Sequence, residues 1–118
     1  MDKYGTGIKG EVLAKNFLIS KGYHIIDENV SFHNVGELDL IAMDGNVLVF
    51  IEVRTRSDCA FGNPLETVTK SKIKKIIATS RLYLNKNKIV CSGYRYDVIG
   101  IINENVVHLE NAFYAHWR

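Results

Sequence analysis

The chain has 118 residues, of which 47% are hydrophobic, with a single proline and a formal net charge of +2. This length supports one hydrophobic core rather than two, so we expect a single domain over residues 1–118. No apolar run reaches the length of a membrane span, and the N-terminus lacks the basic, apolar and small-residue pattern of a signal peptide. We therefore expect a cytoplasmic protein with no membrane contact.

The first half of the sequence predicts a helix followed by three strands. Apolar residues recur at three- and four-residue spacing between Ile8 and Lys21, and Gly22 is a suitable helix end. Residues 23–32 are apolar and β-branched enough to predict a strand. The clearest strands are residues 36–43 and 46–54, joined by Asp44-Gly45, a dipeptide favoured in type I′ hairpin turns.

The second half predicts a helix from about Glu66 to Asn85 and two more strands, in the segments YRYDVIGI and VVHLE. The order of helix, three strands, helix and two strands fits an α/β fold, with a mixed sheet flanked by helices. Between Thr67 and Val90 the chain has seven basic residues and no acidic one. Such a segment is typical of a phosphate-binding surface or of a solvated helix face, and the segment alone favours neither.

Three carboxylates interrupt the two central strands, at Glu37, Asp39 and Glu52. Side chains alternate along a strand, so Glu37 and Asp39 share one face of their strand, and Glu52 and Arg54 share one face of the next. A hairpin loop of two or four residues brings Asp39 and Glu52 to the same side of the sheet, whereas a three-residue loop separates them. The predicted site therefore depends on the length of the turn.

Two carboxylates about 5 Å apart repel by roughly 3 kcal/mol at an effective dielectric constant near 20. Either one carboxyl holds a proton at a raised pKa, or a cation lies between them. Mg²⁺ suits such a pair because proteins commonly hold it with one or two carboxylates, and it polarises phosphoryl oxygens. Glu11, inside the apolar arc of the first helix, is expected to face the same metal, although the helix dipole also favours an acid there.

The motifs around these residues resemble the YraN-like family of small bacterial proteins. The similar segments are GEVLAKNFLISKGY, GELDLIA, VFIEVRTR, VTKSKIKKI and YRYDVIG, and the resemblance extends from about Gly7 to Phe113. It implies an αβββαβ core of the restriction-endonuclease-like, PD-(D/E)XK superfamily, close to Holliday junction resolvases. It also implies DNA as partner, Mg²⁺ or Mn²⁺ as cofactor, and Glu11, Asp39 and Glu52 as metal ligands. Glu37 belongs to the GE-x-D form of this family.

Arg54 departs from the superfamily pattern, which usually has a lysine there. Arginine stays charged and cannot act as a base, but its planar donors can clamp a scissile phosphate. Lys72 matches a lysine in the resembling sequences, so we expect it to replace the missing amine.

Further basic and acidic residues are expected to support the site. With Lys72, the residues Lys70, Lys74 and Lys75 are expected to contact DNA phosphates. Arg95 and Asp97 alternate on one strand, where they would form either an ion pair that supports the site or a surface pair.

Three functions follow from these expectations. The first is a metal-dependent nuclease that hydrolyses DNA with structure preference rather than sequence preference, in repair or recombination. The second is a nucleic-acid-binding module that keeps the nuclease fold without turnover, with Arg54 as the altered residue. The third is a structural or regulatory partner of a repair complex. Junction-resolving relatives are commonly dimers, so the first function also admits a homodimer.

Overall fold

A computed structural model describes residues 5–56 and 64–115, with side chains described from residue 10 in the first helix and from Leu65 after the gap. The secondary structure confirms the predicted α/β order of helix, three strands, helix and two strands. The elements are α1 (Gly5–Ser20), β1 (His24–Phe32), β2 (Gly36–Asp44), β3 (Val47–Arg56), a short 3₁₀ helix (Pro64–Thr67), α2 (Lys70–Lys86), β4 (Gly93–Ile102) and β5 (Asn105–Phe113).

The five strands form one mixed sheet in the order β1-β2-β3-β4-β5. β3 and β4 run parallel, whereas the other neighbouring strands run antiparallel. A parallel pair needs a connection that crosses a face of the sheet, and α2 lies in that connection. No helix in the described residues is long and apolar enough to cross a membrane.

Each face of the sheet is covered by one helix, because the side chains of the central strands alternate between two apolar clusters. Leu48 and Phe50 of β3 pack in the cluster that includes the buried face of α2. Val49 and Ile51 point the other way and pack in the cluster with Ala14 of α1. The buried strands therefore read as continuous apolar runs, and a charged residue within them has few routes to water.

The end of α1 agrees with the prediction at Gly22, which has φ of +92°. The N–H of Tyr23 donates to the Leu18 carbonyl at 3.0 Å, and that of Gly22 donates to the Ile19 carbonyl at 2.9 Å. This is the Schellman pattern, in which glycine relieves the cost of a left-handed backbone.

The predicted start of the second helix, near Glu66, is wrong. Residues 64–67 form the 3₁₀ helix, and α2 begins only at Lys70. Thr69 caps it, because the Thr69 hydroxyl accepts the N–H of Lys72 at 3.1 Å. Val68 is buried outside the helix, which extended the apolar pattern beyond the true boundary.

The central hairpin is one residue out of its predicted position. Asp44 pairs with Val47, so the loop residues are Gly45 and Asn46 rather than Asp44 and Gly45. Gly45 has φ of +61°, while Asn46 does not have a positive φ. A glycine with positive φ at the first loop position is the type II′ pattern, and the predicted type I′ turn is wrong.

Candidate functional site

The central hairpin opens into a fork. The main-chain pairing of β2 with β3 runs from Asp44 and Val47 to Leu40 and Ile51. Beyond that point residues 36–38 remain paired with β1, whereas residues 52–56 remain paired with β4. We call residues 36–39 and 52–56 the fork. At the fork, polar side chains lie between β2 and β3, where the two strands no longer pair through their main chains.

Asp39 and Glu52 lie at the base of this fork. Continuing the observed register by one pair places them directly opposite each other. They are therefore on the same side of the sheet, as both a two-residue and a four-residue loop predict. The Asp39 carboxylate accepts the main-chain N–H of Val53 at 2.8 Å, so it takes the place of a strand partner. Glu52 is only 4% exposed, and its carboxyl lies beside that of Asp39.

The environment of Glu52 disfavours its charge. Burial is the largest cause, and the negative charge of Asp39 adds to it, so that the pKa of Glu52 rises to about 8. Lys72 and Arg54 oppose this rise with their positive charges. Their nitrogens lie 3.9 Å and 3.7 Å from a Glu52 oxygen, too far for a normal hydrogen bond. The cations therefore reduce the electrostatic cost without removing it.

Arg54 and Lys72 reach Glu52 from different elements. Arg54 follows Glu52 by two residues on β3, and its Nε donates to the Thr67 hydroxyl at 3.3 Å. Lys72 lies in the first turn of α2, just after the capping residue Thr69. Both side chains remain about one-third exposed, so both can contact a bound molecule and the buried carboxyl.

Glu11 lies close to this pair without joining it. Burial and the charge of Asp39 raise the pKa of Glu11, whereas a hydrogen bond with Asn29 of β1 opposes the rise. Within residues 10–56 and 65–115, no three acidic, histidine or cysteine side chains converge closely enough to hold a metal. Glu11 is thus a neighbour of the carboxyl pair, and the predicted set of three ligands is not assembled in this structure.

The helix position of Glu11 depends on Gly10. An added Cβ at Gly10 would collide with the Thr55 hydroxyl of β3. Gly10 therefore lies inside α1, where the helix comes into close contact with the fork.

Glu37 and the lysines of α2 lie on the α2 side of the sheet. Glu37 is exposed at the entrance and lines a surface cleft with Lys72 and Lys75. Lys70, Lys74 and Lys75 are exposed along α2. The structure thus collects the predicted basic residues on the helix that borders the carboxyl pair.

Arg95 and Asp97 form an ion pair on the opposite face, where Asp97 is fully buried. Asp97 also binds His108 at 2.7 Å and accepts the main-chain N–H of Asn111 at 2.9 Å. Burial alone would raise the pKa of Asp97, but these hydrogen bonds lower it.

The contact of His108 with Asp97 was not predicted from the sequence, because 11 residues and a turn separate them. Lys21 completes the contact, with its ammonium 2.9 Å from the other ring nitrogen of His108. The sequence shows only a histidine on the strand that follows the one with the aspartate, and such a pattern is too common to predict a contact.

The fold and the fork define the class of protein as a small α/β domain in which the half-buried Asp39 lies beside the buried carboxyl of Glu52. Residues 10–101 match the family described as "Uncharacterised protein family UPF0102". The UPF0102 protein of Persephonella marina is 38% identical over 107 residues, covering 91% of both chains. That of Clostridioides difficile is 37% identical over 115 residues, covering 96% of this chain and 100% of its own. The chain belongs to the UPF0102 family, which confirms the resemblance to YraN-like proteins at the level of the family.

Proposed function

We propose that this protein is a metal-dependent nuclease that hydrolyses DNA phosphodiester bonds with preference for structure over sequence. The observation that carries the proposal is the pairing of half-buried Asp39 with buried Glu52 in the fork, where Arg54 and Lys72 compensate the negative charge only in part. A buried carboxyl with a strongly raised pKa beside a charged partner is a common mark of functional sites. The order α1, β1, β2, β3, α2, β4 also fits the αβββαβ core of restriction-endonuclease-like proteins.

The donor set fits a hard divalent cation. Asp39 and Glu52 offer only carboxyl oxygens, and their mutual repulsion would be relieved by an ion of charge +2. We assign these two residues as the ligands of Mg²⁺ or Mn²⁺. The negative charge of Glu11 lies near enough to interact with Asp39. When bound, the ion would supply Lewis acidity toward a phosphoryl oxygen and lower the pKa of a water molecule.

The side chains of the chain itself would position the substrate. Arg54 would direct its planar donors at the scissile phosphate and offset the negative charge that develops there. Its Nε is held by the Thr67 hydroxyl, so the guanidinium needs little further ordering. Lys72 would give a second positive charge beside the scissile phosphate.

The DNA would lie along the α2 side of the fork. Lys70, Lys74 and Lys75 would contact phosphates, which fixes the position of a nucleic acid without reading its bases. A site approached through phosphates alone supports structure preference, and it predicts affinity that decreases with salt.

A cleavage assay on branched and linear DNAs, with Mg²⁺ and with Mn²⁺, tests the proposal. We expect the wild type to cut at least one substrate, and Asp39→Ala to lower the rate by about 10²-fold or more because it removes a ligand of the pair. Glu66→Gln, which neutralises an exposed acid outside the fork, is the matched control and should retain the rate. Cleavage that survives Asp39→Ala would exclude this site.

The roles of Arg54 and Lys72 can be separated by kinetics. If Lys72 replaces the missing amine, Lys72→Ala lowers kcat in Mg²⁺, whereas Arg54→Lys retains activity because lysine is usual at that position in the superfamily. An unchanged rate for Lys72→Ala would remove Lys72 from the mechanism.

A second candidate is a nucleic-acid-binding module without turnover. It is favoured by the permanently charged Arg54 and by Glu11, which bonds to Asn29 instead of completing a ligand set. This candidate predicts salt-sensitive DNA affinity with no cleavage in either metal.

A further inference from the structure

Two adjoining surface clefts lie between the β1–β2 connection and α2. The inner cleft borders the fork, and its lining includes Ser31, His33, Gly36, Glu37, Lys72 and Lys75. The outer cleft is lined by Asn34, Val35, Ser71, Lys74, Lys75 and Ala78. The two clefts share part of their lining, and we call them together the α2 groove.

The charge of the α2 groove is uneven. Its outer cleft has Lys74 and Lys75 and no acidic residue, whereas its inner cleft contains Glu37. Within the described part of the chain, no acidic side chain forms a salt bridge with Lys74 or Lys75. Uncompensated cations in a concave surface raise the local concentration of anions.

The wall of the groove is fixed by close packing. An added Cβ at Gly36 would lie 2.7 Å from the Thr79 hydroxyl and 3.4 Å from the Cβ of Lys75. The Thr79 hydroxyl is itself held, since it donates to the Lys75 carbonyl at 2.6 Å. The β1–β2 connection therefore rests directly on α2 and keeps the stem of Lys75 at the groove.

We infer that the α2 groove binds a single strand of nucleic acid, with backbone phosphates at Lys74 and Lys75. The inner and outer clefts have volumes of about 510 Å³ and about 520 Å³, which lie in the range of sites that hold single small molecules, so each cleft can take one nucleotide unit of a strand. Lys72 lines the inner cleft and lies 3.9 Å from Glu52, so the groove leads to the fork. The inference that the groove leads the strand to the fork rests on the proposed function. The inference that the groove binds nucleic acid does not.

Glu37 has the opposite effect to the lysines in this arrangement. Its exposed carboxylate repels a phosphate at the inner cleft, which favours seating of the backbone at the outer cleft. Neutralising Glu37 should therefore strengthen binding, while removing Lys74 and Lys75 should weaken it. Because a general basic surface would give the same two signs, the groove is distinguished by the comparison with lysines elsewhere in the basic segment.

Binding can be measured by the fluorescence anisotropy of a labelled oligothymidylate, in EDTA and over a range of salt concentrations. We expect Lys74→Ala with Lys75→Ala to weaken binding by about 10-fold and to reduce the salt slope by about 0.7 for each lost contact. Alanine keeps the Cβ that Gly36 rests on, so the wall should be retained. We expect Glu37→Gln to raise affinity by about 2-fold, as expected for one exposed charge.

The matched control is Lys86→Ala with Lys88→Ala, which removes the same charge from the far end of the basic segment. Lys86 lies ~18 Å from Lys74 along α2, and Lys88 follows the end of the helix. We expect this pair to leave the salt slope unchanged. Equal losses of affinity in the two double variants would overturn the proposed groove. Binding of a blunt duplex that depends on Lys74 and Lys75 as strongly as binding of the single strand does would overturn the single-strand assignment.

The failure of this inference is distinguishable from the failure of the nuclease. EDTA removes metal from the binding measurement. A smaller salt slope for the Lys74→Ala with Lys75→Ala variant, together with no cleavage by the wild type in Mn²⁺, keeps the groove and rejects the nuclease. Cleavage that requires Asp39, together with normal binding by the Lys74 and Lys75 variant, keeps the nuclease and rejects the groove.

Discussion

Two buried carboxyl groups on adjacent central strands have opposite electrostatic properties. Asp97 on β4 is fully buried, yet its pKa is lowered because hydrogen bonds from His108, Arg95 and the main chain outweigh the effect of burial. Glu52 on β3 is nearly as buried, yet burial and the charge of Asp39 raise its pKa to about 8. Burial is similar at the two sites, so the difference lies in compensation of the charge.

This difference separates structural from functional use of a buried charge. Hydrogen bonds with Arg95, His108 and the main-chain N–H of Asn111 satisfy the Asp97 carboxylate. Those with His108 and Asn111 also join β4 to β5. Glu52 instead has cations beyond hydrogen-bond distance and a second carboxyl beside it. A group that the fold leaves uncompensated retains interaction energy for a ligand, which is why we place the candidate site in the fork.

The largest expected effect on the free energy of unfolding comes from Asp97, whose charge is compensated. Asp97→Ala leaves Arg95 and His108 without their buried partner, and loss of one member of a buried pair costs about 3–5 kcal/mol of unfolding free energy. Urea denaturation measures it. Asp44→Ala is the control, because it removes only a partly exposed partner of Arg95 and should cost less than about 1 kcal/mol. Equal losses would show that burial of Asp97 carries no special weight.

The second effect is smaller and has the opposite sign. Glu52 has a pKa of 4.5 as a free group and about 8 in the fold, so folding takes up a proton. The resulting stability is fully present below pH 4.5 and is lost as the pH rises through 8. With metal chelated, we expect Glu52→Gln to match the wild type near pH 5 and to exceed it by about 1–3 kcal/mol at pH 9.

Denaturation curves across this pH range test the second prediction. Glu37→Gln, which neutralises an exposed acid at the same fork, should show a much smaller pH-dependent gain. A wild type that is more stable than Glu52→Gln at pH 9 would contradict the raised pKa and the contrast with Asp97.

The smallest effect concerns the contact that holds α1 against the fork. Helix propensity predicts that Gly10→Ala stabilises by up to about 1 kcal/mol. The collision with Thr55 predicts a loss of about 1–2 kcal/mol instead, which the same denaturation experiment measures. Asn16→Ala, at an exposed position of α1, is the control for propensity alone. Recovery in the double variant with Thr55→Ala would locate the collision, and stabilisation by Gly10→Ala would refute it.

The sequence predicted the convergence of Asp39 and Glu52 even though it misplaced the turn. Loops at Asp44-Gly45 and at Gly45-Asn46 differ by two in register, so both send the two carboxyls to the same side of the sheet. Strand alternation is a local property, and it survives an error of this kind. The boundaries of α2 were less predictable, because Val68 is buried for tertiary reasons.

Contacts between distant segments could not be predicted from local patterns. His108 meets Lys21 across 87 residues of sequence, and no periodicity reports that α1 ends beside β5. The helical arc of Glu11 indicated a buried side, but not the partner Asn29, since the rotation of α1 is set by packing such as that of Gly10 on Thr55.

Calorimetric titration with Mn²⁺ near pH 7, in two buffers of different ionisation enthalpy, tests the central claim that Asp39 and Glu52 together hold a divalent cation. We predict that the wild type binds Mn²⁺ and releases roughly one proton, because the carboxyl of Glu52 must lose its proton to become a ligand. Asp39→Asn and Glu52→Gln should each abolish this binding. Mn²⁺ affinity that is unchanged in both variants would contradict the account.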